Sequence, residues 1–331
     1  MNWLHAHPIT PIRKALLWYL SFDRSLYELQ LHDPSSPDSA SVKNISLSKL
    51  GFLSPPSYKK VSSTLLKHNW FLICLVKPRL FFWKRKYIFL LSPFTNKVIT
   101  LPKIDYPWPF KYLTLTSSAQ PDSPDCVFFF VDTCDADDKV TILTYRNGDK
   151  EWSAKEFNKV TDFVHCSCKI VYLRGILYIV SPYGQLASYD FVGGEFKFEC
   201  LFVDELFRLN MNSNIYMYRV VELNGDLMMI CFVPFENINV MLPEKPYIRR
   251  YNWSNKDWIP VSRLGDKSLF ISEQNSQVAT ISKDDMRNSG VLLSNKIYQF
   301  FDDGCLIYSL EDGELVLFKS ISFKVGGKRW Q

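Results

Sequence analysis

The feature that most constrains this chain is a recurrence of short apolar runs broken, at hairpin-length intervals, by turn dipeptides. Asn147-Gly148, Asn224-Gly225, Asp303-Gly304 and Asp312-Gly313 each fall beside such runs, and dipeptides of this kind supply the positive φ that tight β-hairpin turns require. Runs with strand character include Trp70 to Val76, Tyr87 to Leu91, Val127 to Asp132, Lys139 to Tyr145, Lys169 to Leu173, Ile176 to Val180, Leu186 to Phe191, Tyr216 to Leu223 and Asp226 to Val233. Helical periodicity is scarce, so the connections read as hairpins and not as crossovers.

A weak internal repeat lies on top of this pattern. Tyr87 to Pro102, Thr141 to Trp152 and Tyr247 to Trp258 each combine a strand, a short polar turn and a second strand that often carries Trp or another large apolar residue. Gly184 to Asp190 and Asp303 to Phe318 have the same shape without the Trp. The spacing of roughly 45 to 60 residues is near that of kelch blades, which favours a propeller over a sandwich. The expected fold is an all-β, irregular kelch-like β-propeller built from antiparallel hairpins, with Trp258 buried in it. Three stretches break the pattern. Asp33 to Val42 reads as a loop, Leu201 to Met211 as a short helix, and Ser276 to Ser289 as polar and irregular.

Charge and cysteine usage narrow the class of partner. Of the 331 residues, 39 are basic and 34 acidic. They are spread along the chain, so no one-signed field calls for nucleic acid. Several of the eight cysteines sit inside apolar runs, such as Cys74 in Leu72 to Val76 and Cys231 in Met229 to Val233, which reads as reduced, buried thiols. The apolar stretch after Arg13 and Lys14 ends at Leu20 without a credible cleavage site. No run approaches the roughly 18 apolar residues of a membrane helix. The expectation is a cytoplasmic or nuclear protein with no membrane partner.

No residue pattern points to catalysis. His165-Cys-Ser-Cys168 gathers metal-binding residue types, but no second pair completes a zinc site, and a strand edge with cysteines as small apolar residues explains it. Asp132, Asp135, Asp137 and Asp138 lack the Gly and closing Glu of a calcium loop, so this stretch reads as an exposed acidic hairpin loop. Leu80-Phe-Phe-Trp83 followed by Lys84-Arg-Lys86 reads as a buried strand and a solvated turn. Gly193-Gly194 and Gly326-Gly327 lack the setting of a phosphate loop. No catalytic, metal or cofactor residue is assigned, and the chain is expected not to be an enzyme.

Two loops are unusually apolar for their class. Tyr106-Pro-Trp-Pro-Phe110 sets three aromatics among two prolines that cannot donate to a ladder. Pro234 to Pro243 carries Phe235 and Met241. One reading is that both loops fold back and cap the core. The other is that Trp108, Phe110, Phe235 and Met241 are protein-binding anchors of the kind that dominate interfaces.

Several segments, in order, resemble the KIB-type β-propeller proteins of plants, a domain often found behind an F-box. They are His68 to Ile73, Leu91 to Pro102, Arg174 to Leu186, Tyr218 to Met228, Trp258 to Ile271 and Ser294 to Asp303. The most specific is Trp258-Ile-Pro-Val-Ser-Arg-Leu-Gly-Asp-Lys-Ser-Leu-Phe-Ile271 followed by Asn295-Lys-Ile-Tyr298. The resemblance implies a propeller over residues 25–325 that selects a protein target, in many relatives for a ubiquitin ligase. Residues 1–24 have no Leu-Pro-rich start of an F-box, so direct binding of a Skp-type linker is not expected. Two other readings stand beside this one: a truncated or diverged relative without a ligase role, and an enzyme with its site in a propeller channel.

Overall fold

A computed structural model describes residues 19–23, 28–32, 43–46, 60–65, 70–77, 85–92, 95–104, 114–132, 139–158, 168–200, 217–232, 246–272, 276–280, 294–301 and 304–319. Every regular element among them is a β-strand. The chain divides into two compact units, one of Leu47–Val261 and one of Met1–Ser46 with Ser262–Gln331.

The second of these contains a three-stranded sheet of β1 (Tyr19–Asp23), β2 (Glu28–His32) and β3 (Lys43–Ser46). The unit Leu47–Val261 contains four four-stranded antiparallel sheets. Each is a meander in which consecutive strands are neighbours: β4 (Lys60–Leu65), β5 (Phe71–Lys77), β6 (Arg85–Ser92) and β7 (Lys97–Leu101); β8 (Thr114–Ser117), β9 (Val127–Asp132), β10 (Lys139–Arg146) and β11 (Ser153–Asn158); β12 (Lys169–Leu173), β13 (Ile176–Val180), β14 (Leu186–Asp190) and β15 (Phe196–Cys200); β16 (Met217–Leu223), β17 (Asp226–Phe232), β18 (Tyr247–Asn252) and β19 (Asp257–Pro260).

Packing explains why the central strands read as unbroken apolar runs. Successive side chains of a strand point to opposite faces, and in β9 both faces are covered. Phe128 and Phe130 enter an apolar layer with Ile88, Leu90 and Leu101 of the preceding sheet and with Trp70, which stands just before β5. Val127, Phe129 and Val131 enter another with Ile170, Leu177 and Ile179 of the following sheet. In β13, Tyr178 and Val180 turn the other way, into a third layer with Tyr218, Val220, Met229 and Trp258. Strands buried on both sides need apolar residues at every position and not at alternate ones.

The remaining unit also holds a five-stranded sheet, in the order β21 (Ser276–Thr280), β20 (Lys267–Ser272), β22 (Lys296–Phe301), β23 (Gly304–Ser309) and β24 (Leu315–Lys319). Here one pairing is parallel, β20 with β22, with Leu269 opposite Ile297. It adds a crossover to a fold otherwise made of hairpins. Asn295, at φ 61, fastens the entry to β22, because its side-chain oxygen accepts from the Leu264 N–H at 2.7 Å.

Several sequence expectations are corrected. Ser276–Thr280 is not irregular but forms β21, pairing with β20 from Ile271–Ser276 to Lys267–Thr280; an edge strand tolerates polar residues because one of its sides carries no ladder. Asp132 is not in an exposed loop; it is buried at the end of β9, opposite Thr141. Arg85 and Lys86 do not form a turn but open β6, paired with Lys77 and Val76. Phe301 pairs directly with Gly304, so Gly304 belongs to a strand and not to the turn. The expected helix at Leu201 to Met211 and the loop at Asp33 to Val42 lie outside the described residues.

Candidate functional site

The four anchor residues read from the sequence, Trp108, Phe110, Phe235 and Met241, lie outside the described residues. Connectivity still fixes where their segments attach. The stretch with Trp108 and Phe110 leads into β8 at Thr114, and the stretch with Phe235 and Met241 leaves β17 at Phe232. Phe232 pairs with Met217, the first residue of β16.

At this end of β16 the described residues bring together a basic and aromatic group that sequence reasoning missed. β12 lies against both β8 and β16. Its first residue, Lys169, is opposite Val180 and stands with its ammonium 5.9 Å from the centre of the Tyr218 ring, a distance at which a cation is attracted by the ring face. The Tyr218 hydroxyl donates to the Val180 carbonyl at 3.1 Å, which fixes the ring beneath the lysine. Arg219, buried, donates from Nη1 to the Tyr218 carbonyl at 2.7 Å.

The electrostatics are unusual for a protein surface. Burial, then the charge of Arg219, pulls the Lys169 ammonium down to about 8, with Cys168 acting weakly the other way. Among the described residues the side chain of Lys169 makes no hydrogen bond and no ion pair. The residue as a whole is partly buried. An ammonium over a ring beside a guanidinium is chemically suited to accept an anionic group. A signal was present in the sequence, for Arg219 interrupts the apolar strand Tyr218-Arg-Val-Val221.

Other candidates resolve into structure. Cys168 is buried in the apolar layer of Phe129 and Ile179, as a small apolar residue would be; His165 and Cys166 lie outside the described residues. Cys231 is buried too, and burial pushes its thiol up. Trp258 is buried as expected, and its indole donates to the Gly184 carbonyl. Arg249 is buried, donates to the Trp258 carbonyl at 3.3 Å, and is held below the ordinary guanidinium range by burial. Among the described residues no group of three metal-ligating side chains is assembled.

Comparison with known proteins places the chain. An F-box/kelch-repeat protein of Arabidopsis thaliana is 24% identical over 232 residues, which are 68% of this chain and 59% of that protein. The match therefore spans less than two thirds of that relative's length. Among solved structures, the WD40 domain of SCAP from fission yeast is similar over 92% of this chain and 75% of that chain, at 11% identity and a TM-score of 0.33. YjhT is similar over 90% and 93%, at 8% identity and a TM-score of 0.40. Neither structure adds to the assignment that the family comparison makes. The family described as KIB1-4 beta-propeller matches residues 38–319, and with that span covering most of the sequence and strands as its regular elements, the chain belongs to the KIB1-4 beta-propeller family.

Proposed function

We propose that this chain is a non-enzymatic module that recognises a protein target, corresponding to the target-binding part of plant F-box ubiquitin-ligase adaptors. The observation that carries the reading is the family match over residues 38–319, supported by a relative described as an F-box/kelch-repeat protein. Propellers use rigid strands to hold variable loops, and loops carry recognition. The propeller domain is taken to occupy residues 25–325, and the loops with Trp108, Phe110, Phe235 and Met241 to supply apolar anchors. In support, the Phe235 and Met241 segment leaves β17 beside the strand end that carries Tyr218. Cys126, Cys168 and Cys231 are buried and not in disulfides, and no helix among the described residues is long and apolar enough to cross a membrane. Both accord with action in the cytoplasm or nucleus. Affinity capture of the tagged chain from plant cells, with quantitative mass spectrometry, tests the proposal. A reproducible protein partner is expected, and recovery of none overturns the reading.

A further inference from the structure

The last strand of the five-stranded sheet, β24, has β23 on one side and, among the described strands, none on the other. The Ser309 N–H donates to the Glu314 carbonyl at 2.9 Å, so residues 309 and 314 face each other across this ladder. Backbone groups of an antiparallel strand turn alternately toward and away from the neighbour. Val316 and Phe318 therefore direct theirs at β23, while Leu315, Leu317 and Lys319 direct theirs outward. An apolar residue is open on each face of this edge, because Leu315 and Val316 are 42% and 43% exposed and successive residues of a strand point to opposite faces. Edge strands are commonly defended by charges, as in β11 with Lys155 and Glu156 and in β15 with Lys197 and Glu199. β24 carries none before Lys319. β7 also has a single charge, Lys97 at its first residue, but its Val98 and Ile99 are partly buried and its Leu101 is in the core.

We infer that β24 pairs edge to edge with β24 of a second copy of this chain, antiparallel and about a twofold axis through Val316. Opposed residues in an antiparallel ladder either both turn their backbone groups toward it or both turn them away, so the axis falls on a residue and not between two. Centred on Val316, the register sets Val316 opposite its own copy and Leu315 opposite Leu317. Charge selects this occupant and this direction. The strand follows an exposed acidic turn, Glu311-Asp312-Gly313-Glu314, and closes on Lys319. Antiparallel pairing brings Lys319 of each copy to the acidic turn of the other, whereas parallel pairing would set acid on acid. One strand thus supplies both halves of the complement. Such a pairing uses up the edge of both copies and closes at two. It stands apart from target recognition, which neither requires nor excludes it.

The test uses the full chain in sedimentation velocity. One added strand pair buries less than a standard interface, so the expected dissociation constant is on the order of 10 μM. A species of twice the 38.7 kDa chain mass should grow with concentration. Val316→Lys and Val316→Glu each set like charges together on the twofold axis, and each should weaken the dimer about tenfold or more. Mixed in equal amounts the two variants should associate again, because opposite charges then meet. Leu315→Pro reads the same contact should the charged variants fail to fold, since it removes an outward N–H and no bond to β23; it should abolish the dimer. A wild type that stays monomeric at about 100 μM overturns the proposal. So does an undiminished dimer in folded Val316→Lys or Leu315→Pro, which would place the contact elsewhere. An equal mixture of Val316→Lys and Val316→Glu no more associated than either variant alone overturns it as well.

Discussion

The indole Nε1 of Trp258 donates to the carbonyl of Gly184 at 2.6 Å, across 74 residues of sequence and from one sheet to the sheet before it. Trp152 repeats the arrangement two sheets earlier in the chain, donating to the Pro102 carbonyl at 2.9 Å across 50 residues. Each Trp also packs its ring on aromatics of its own sheet, Trp258 on Tyr251 and Trp152 on Tyr145. The large apolar residue noticed in the sequence repeat is thus a tie between neighbouring sheets.

Truncation and bond removal are separable at this tie. Trp258→Ala deletes a buried ring and is expected to cost about 3–5 kcal/mol. Trp258→Phe keeps much of the packing but strands the Gly184 carbonyl, and is expected to cost about 1–3 kcal/mol. Urea denaturation of both variants checks the order; a Trp258→Phe variant as stable as wild type would show that the hydrogen bond contributes nothing.

The hairpin turn at Asn224-Gly225 offers a test of backbone strain against side-chain crowding. Gly225 has φ 80, and a Cβ placed there would lie 2.7 Å from Nη2 of Arg174. The Arg174 head is the end of a flexible chain and can move, whereas the left-handed backbone cannot relax so easily. Gly225→Ala is expected to cost about 1–2 kcal/mol. The double variant Arg174→Ala, Gly225→Ala should recover little of this; full recovery in thermal melts would show that crowding was the cause.

Lys169 should leave a signature in the pH dependence of stability. Its folded pKa, about 8, is below the ordinary lysine value of 10.5. The charged form is therefore penalised in the folded state, fully below pH 8, decreasingly between 8 and 10.5, and not at all above. Lys169→Met is expected to be about 1–3 kcal/mol more stable than wild type at pH 7. That gap should close as the wild type gains stability up to pH 10.5. Denaturation curves across this range check it, and a gap that widens with pH would reverse the sign of the argument.

Replacing Trp108 and Phe235 together by Ser should abolish partner recovery without lowering the melting temperature, if the two loops supply anchors. A lowered melting temperature would assign both rings to the core and remove that surface from consideration.

What the sequence revealed follows from where each strand lies. β9, β13 and β17 were legible because both of their faces are apolar, giving runs such as Val127-Phe-Phe-Phe-Val131. β11 was missed because Ser153 to Asn158 is a mostly exposed edge, with Lys155 and Glu156 where a central strand would carry Val or Ile. β21 was missed for its polar composition, Ser-Gln-Val-Ala-Thr. The parallel pairing of β20 and β22 has no local signature, since two strands written in the same direction become neighbours only through the path of the chain between them. The Lys169 group escaped for the same reason. Its lysine opens one strand and its ring and guanidinium belong to another nearly 50 residues on, and nothing local joins them.

The Trp ties also bear on the time course of folding. Each four-stranded meander pairs neighbours in sequence and can form from local contacts, whereas the indole bonds span 50 and 74 residues and need two finished sheets. Contacts of that kind are expected to form after the rate-limiting barrier, which folding and unfolding rates of Trp258→Phe would check. Their strength should therefore set how slowly the native protein comes apart and leave the speed of its assembly almost untouched. Trp152 and Trp258 are in this sense latches on the lifetime of the folded chain.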